Sequence, residues 1–113
     1  MNGQRILSPS DTADELAGTA FVHVDEQLVG AYSTADFASA VRLLDAVAAA
    51  ADEVNHHPDV KLGWGRVEFE LSSHDAGGVT SRDVALARRI TAIAAEHGAK
   101  PGNRPRSGPQ SSE

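Results

Sequence analysis

A long apolar helix pattern stopped by Pro58 and followed by two short alternating runs constrains this fold more than any other feature. Phe37, Val41, Leu44, Ala48 and Ala51 recur at the spacing of one helix face. Ala40, Leu43, Val47, Ala50 and Val54 make a second stripe beside it, and Ser39, Arg42, Asp45 and Asp52 occupy the remaining face. A stripe this wide covers a sheet on one side and meets another helix on the other. The segment 34–54 is therefore a helix, opened by Ser33-Thr34-Ala35-Asp36 read as a capping box. Pro58 ends the run, because its ring forces His57 into extended geometry and cannot continue a helix.

Beyond Pro58, Val60, Leu62 and Trp64 alternate with Lys61, Gly63 and Gly65, and Val67, Phe69 and Leu71 with Glu68, Glu70 and Ser72. These are two strands with one wet face each, reversing near Gly63 and Gly65. Upstream, Ser10 and the acidic residues after it open a short helix over 10–17 that Gly18 stops. Residues 19–24 and 27–33 are strands about a turn at Asp25-Glu26. A last helix opens at Thr80, with Asp83 three residues on, and runs to Gly98. The order α-β-β-α-β-β-α predicts an α+β fold, a four-stranded antiparallel sheet with helices on one face.

At 113 residues the chain has room for one domain, placed here at 10–98, between a flexible N-terminus (1–9) and a disordered tail (99–113). Aromatics make up only 4%, so Ala, Val, Leu and Ile must build the core. The absence of cysteine removes disulfides and thiolate ligands. No run approaches the ~18 apolar residues of a membrane span, and the expectation is a cytoplasmic protein that meets no membrane. The net charge of −6 argues against nucleic-acid binding, because the arginines cluster only at Arg88-Arg89 and Arg104/Arg106.

Candidate chemistry sits in two short segments, Asn55-His56-His57-Pro58 and Ser73-His74-Asp75-Ala76-Gly77-Gly78, which hold three of the five histidines. A tight hairpin centred between Gly65 and Arg66 sets His57 opposite His74, with His56 one step away. Imidazoles gathered there suit proton transfer near neutral pH. A zinc site is the rival, but two would-be ligands are consecutive and point partly to opposite sides of extended backbone, in a spacing that matches no zinc motif. No metal is expected. Each piece also has a plainer structural reading: Asp75 to Gly78 as a turn, Arg82 and Asp83 as helix-start residues, Trp64 as a pocket wall or a hairpin cap. His23 and His97 read as ordinary surface residues.

The run from Asp52 to Asp83, with H-H-P and then S-H-D-A-G-G-V-T, resembles the pterin-4a-carbinolamine dehydratase family over most of residues 16–97. The resemblance implies dehydration of 4a-hydroxytetrahydropterin to quinonoid dihydropterin without a cofactor, in tetrahydrobiopterin recycling after a pterin-dependent hydroxylase. By position it makes His56 and His57 the acid/base pair and His74 a third histidine that binds the pterin and assists. Pro58, Ser73, His74, Asp75 and Ala76 fall at substrate-contacting positions, and Asp75 is a candidate acceptor for an imidazole N–H. It also implies dimers or tetramers, with Ala46, Ala49 or Ala50 of helix 34–54 at the interface. Three positions depart from the pattern: Thr19 where Trp is usual, Asp52 where Glu is usual, and Ala76 where Cys is frequent. Loss of that Trp leaves open a second reading, a non-catalytic relative serving as an oligomeric interaction or assembly module.

Overall fold

In the computed structural model, which describes residues 5–102, the elements are α1 (Pro9–Leu16), β1 (Phe21–Val24), β2 (Gln27–Ser33), α2 (Phe37–Val54), β3 (Asp59–Gly63), β4 (Arg66–Leu71), α3 (Ser81–Glu96) and β5 (Lys100–Pro101). The strands form one antiparallel sheet in the order β1-β2-β4-β3, and β5 pairs with the end of β2 beyond β1. The predicted α+β order is therefore correct, and the sheet gains a fifth strand. Lys100 and Pro101 lie in the segment read as tail. They are tied down because Gly102 N–H donates to Ala31 O (2.9 Å) and Arg66 Nη1 donates to Gly102 O (3.0 Å). Arg104, Arg106 and the rest of that tail lie outside the described residues. Part of the segment read as flexible N-terminus is likewise held. Leu7 N–H donates to Val79 O (2.7 Å), and Ser8, not Ser10, caps α1 in a capping box with Asp11.

Period-two burial decides which face is wet. Phe21, Leu28, Tyr32, Val67, Phe69 and Leu71 turn inward, where Ala40, Leu43 and Val47 of α2 and Leu86, Ala87 and Ile90 of α3 cover them. The few aromatics stack edge-on across the strands, with Phe21–Tyr32 centroids 6.3 Å and Tyr32–Phe69 centroids 6.4 Å apart. Gly30 lies directly across from Phe21, and a Cβ there would stand 2.7 Å from Phe21 Cδ1; the missing side chain is what admits the ring.

Of the two apolar stripes on α2, one buries Ala40, Leu43, Val47 and Ala50 but leaves Val54 52% exposed, while the other buries Ala51 and leaves Phe37 and Val41 48% and 40% exposed. Ala50, named above as an interface candidate, faces this chain's own core, whereas Ala49 is exposed. The N-cap of α2 is Asp36, whose Oδ1 accepts from Ser39 N–H (2.8 Å); Ser33 plays no part in the cap.

The β3–β4 hairpin corrects the predicted register. Gly63 pairs with Arg66 and Asp59 with Glu70, so Trp64 and Gly65 form the turn, with Gly65 at φ 69°. Pairing stops at Asp59, and His57 does not face His74 across the ladder. Trp64 sits at the hairpin tip, 74% exposed.

Candidate active site

The two histidine segments are brought together by the first turn of α3. At the end of α2, Asn55 takes the left-handed conformation (φ 52°, ψ 44°), and His56 N–H donates back to Ala51 O (3.1 Å). Asn tolerates this conformation better than most residues, and the turn ends the helix just before the histidines. The His56 ring then meets α3, where Nε2 lies 2.5 Å from Asp83 Oδ1. The exposed His57 ring lies back along α2, with Nε2 2.9 Å from Asp52 Oδ1.

Asp83 is the hub of the arrangement. Its side chain is 0% exposed. Its Oδ2 accepts from Ser73 Oγ–H (2.7 Å) and from Thr80 N–H (2.9 Å), and Oδ1 takes His56. Thr80 Oγ1 lies 2.8 Å from Ser73 Oγ; since Ser73 donates to Asp83, Thr80 supplies the hydrogen of that second bond. Sequence reasoning identified Asp83 as a helix-start residue, and it does complete the α3 capping box with Thr80. It missed the second carboxylate oxygen, whose partner lies 27 residues away in sequence. A carboxylate only accepts, so Nε2 of His56 carries the hydrogen and Nδ1 is the position left for chemistry. The same reasoning applies to His57 on Asp52.

His56 borders a cavity of about 410 Å³ lined by Val54, His56, Arg82, Ala85, Leu86 and Arg89. His74 is exposed and borders a different, more polar cavity of about 390 Å³ with Asp25, Glu26, Gln27, Asp59, Ser72 and Gly77. The structure thus gathers His56, Ser73 and Asp83, but His74 opens on the other cavity. Asp75 does not accept from an imidazole. Its Oδ1 accepts from Arg82 Nη2 (2.7 Å), and that bond holds the Asp75 carboxyl below the usual carboxylate range. Ser73 is fully buried, with its hydroxyl engaged by Asp83 and Thr80, while Pro58 and Ala76 are half-buried. His23 is not an ordinary surface residue, since its Nδ1 lies 2.9 Å from the buried Thr12 hydroxyl. Thr19, where the family pattern has Trp, caps the end of α1: its hydroxyl donates to Leu16 O (2.7 Å) and accepts from Phe21 N–H (3.1 Å). Among the described residues, no three His, Cys, Asp or Glu side chains form a group able to hold a metal ion. No helix among them is long and apolar enough to cross a membrane.

The sequence family described as pterin 4 alpha carbinolamine dehydratase matches residues 7–93. The chain belongs to this family. A protein of Haloarcula marismortui, provisionally named pterin-4-alpha-carbinolamine dehydratase, is 34% identical over 88 residues, covering 78% of this chain and 95% of its own. A Nocardia farcinica protein with the same provisional name is 50% identical over 58 residues, 51% of this chain and 61% of that protein. Among solved structures, a transcriptional coactivator/pterin dehydratase from Brucella melitensis superposes with TM-score 0.73 at 29% identity, covering 80% of this chain and 99% of its own. A pterin dehydratase-like protein identified as a RuBisCO assembly factor in the alpha-carboxysome shares the fold, with TM-score 0.58 at 24% identity, covering 68% of this chain and 92% of its own.

Proposed function

We propose that this member of the dehydratase family removes water from 4a-hydroxytetrahydropterin, with His56 and His57 as the acid/base pair and no cofactor. The observation that carries the reading is the buried Asp83 carboxylate on His56 Nε2, beside a second imidazole held the same way by Asp52. Both rings then offer Nδ1. In the productive state one ring is protonated and the other neutral. The protonated ring delivers its hydrogen to the C4a hydroxyl, and the C4a–O bond breaks to release water. The neutral ring takes the N5 proton, and the electron pair of that N–H bond becomes the C4a=N5 double bond of quinonoid dihydropterin. Each such transfer is worth about 10²–10⁴ in rate.

In this reading His74 binds the pterin and assists, and Pro58 and Ala76 border the substrate. Ser73 supports Asp83 from behind, because its buried hydroxyl has no free face. The protein works in the cytoplasm as a homo-oligomer, dimer or tetramer, and its substrate comes from a pterin-dependent hydroxylase. The test is the rate at which the purified protein converts 4a-hydroxytetrahydropterin, followed by the absorbance of the quinonoid product. Acceleration over the spontaneous reaction supports the proposal, and a rate equal to the spontaneous one sinks it. Thr19 favours one other reading, a non-catalytic assembly module, because its hydroxyl caps α1 where an aromatic ring is usual. Pterin binding separates the two, since a module of that kind leaves pterin unbound.

A further inference from the structure

The three histidines are not held alike. His56 and His57 each rest on a carboxylate, whereas no hydrogen bond reaches the His74 ring among the described residues. Its position depends on the backbone that carries it. The loop 73–78 closes on itself, with Ser73 N–H donating to Gly78 O (2.9 Å) and Gly77 N–H donating to Ser73 O (2.9 Å). It is fastened to α3 at two points that flank His74. On one side Ser73 Oγ is bonded to the buried Asp83 (2.7 Å), and on the other Asp75 Oδ1 is bonded to Arg82 Nη2 (2.7 Å). Arg82 and Asp83 are consecutive residues in the first turn of α3, and Arg82 also lines the cavity that His56 borders.

We infer that the Arg82–Asp75 ion pair is a positioning pair for His74, fixing the third histidine relative to the His56–Asp83 unit through one turn of α3. Asp75 is then a positioning residue and not a substrate contact. The inference rests on the dehydratase reading for its kinetic consequences, but not for its structural one. The Arg82 guanidinium also keeps Asp75 ionised below the ordinary carboxylate range, so the pair persists throughout the neutral and mildly acidic range. Because the pair is partly exposed, its reach is modest.

The experiment compares Asp75→Asn, Arg82→Gln and the double variant, each with His74 present and with His74→Ala. Positioning predicts a kcat loss of about two- to fivefold in Asp75→Asn with KM unchanged, the range an exposed ion pair supplies. It predicts a double variant no slower than the slower single one, and no loss from Asp75→Asn once His74 is alanine. In parallel, ¹⁵N relaxation of residues 74–76 is expected to show order parameters falling from about 0.85, typical of rigid backbone, toward about 0.6 in either single variant. A KM effect without a kcat effect, a loss that persists in the His74→Ala background, or unchanged order parameters overturns the inference. If the wild-type protein proves inactive, the dehydratase reading falls while the relaxation data still decide this one.

Discussion

Replacing Asp83 with asparagine tests the centre of the site, because the substitution keeps shape and changes one acceptor into a donor. Oδ2 accepts from Ser73 Oγ–H and Thr80 N–H, so the amide oxygen of the new side chain must take that side to keep both bonds. The amide NH₂ then faces His56 Nε2, which can pair with it only as an acceptor. The neutral His56 ring changes tautomer, and Nδ1 carries the hydrogen where it formerly offered a lone pair. The stability cost is the difference between a hydrogen bond to a charged group, about 1.5–3 kcal/mol, and a neutral one, about 0.5–1.5 kcal/mol, or about 1–2 kcal/mol in all. The catalytic cost is far larger, about 10²–10⁴-fold in kcat, because one member of the acid/base pair is lost and a wrong tautomer is fixed in its place. Asp83→Ala behaves differently. It strands Ser73 Oγ–H, Thr80 N–H and His56 Nε2–H at about 1–3 kcal/mol each, enough to threaten a fold with a typical margin of about 5–15 kcal/mol.

Two measurements on Asp83→Asn settle the point. Urea unfolding reads the small stability change, and long-range ¹H–¹⁵N correlation spectra of the His56 ring read the tautomer directly. An asparagine variant that keeps kcat within about threefold of wild type, or one whose His56 stays protonated on Nε2, refutes the assignment of Asp83 as the group that orients His56.

Separate replacement of His56, His57 and His74 by alanine is expected to slow dehydration about a hundredfold or more for the acid/base pair, with circular dichroism unchanged; a triple variant at wild-type speed would remove the site assignment. Chelator treatment should leave the rate of the purified protein unchanged, and a zinc content that tracks activity would argue for the rival chemistry. Gly30→Ala forces a Cβ to within 2.7 Å of Phe21 Cδ1 and should cost about 1–3 kcal/mol in urea unfolding, as overpacking does. The carboxyls of Asp11 and Asp36, lowered by hydrogen bonds to Ser8 and Ser39, and that of Asp75 favour the folded state above their unfolded values near 4. That contribution is lost as pH falls through the lower folded values, so the urea midpoint should decline below pH about 4.

What could be read from the sequence is what local periodicity controls. The stripes of α2, the alternation in β3 and β4 and the Thr80–Asp83 start of α3 are each set by neighbours a few residues apart, and the elements fall where they were expected, although Glu68 on the wet face of β4 is buried and Leu62 of β3 is 38% exposed. The failures share a different cause. The hairpin register depends on whether Trp64 belongs to the strand or the turn, and Gly65 at positive φ decides for the turn. Moving Trp64 into the turn takes His57 off its expected place opposite His74. β5 carries no periodic signal because it is two residues long and includes proline, and it forms only because β2 leaves room beside it and Arg66 holds Gly102.

The site follows the same division. Its histidines were visible as residue types, but the groups that orient them were not, since Asp83 is distant in sequence from His56 and Arg82 takes up the acid assigned to an imidazole. The exposed part of the α2 apolar face has a clearer reading. Most of one stripe is buried in this chain, Phe37 and Val41 of the other are exposed, and Ala49 lies on the outside while Ala50 does not. If the homo-oligomer proposed above forms through α2, Val41→Glu should lower the mass seen by light scattering while leaving the fold intact. Ala50→Glu should unfold the monomer instead, because it places a charge in a core position 2% exposed. A protein that is monomeric at micromolar concentration before any substitution removes this explanation for the exposed stripe.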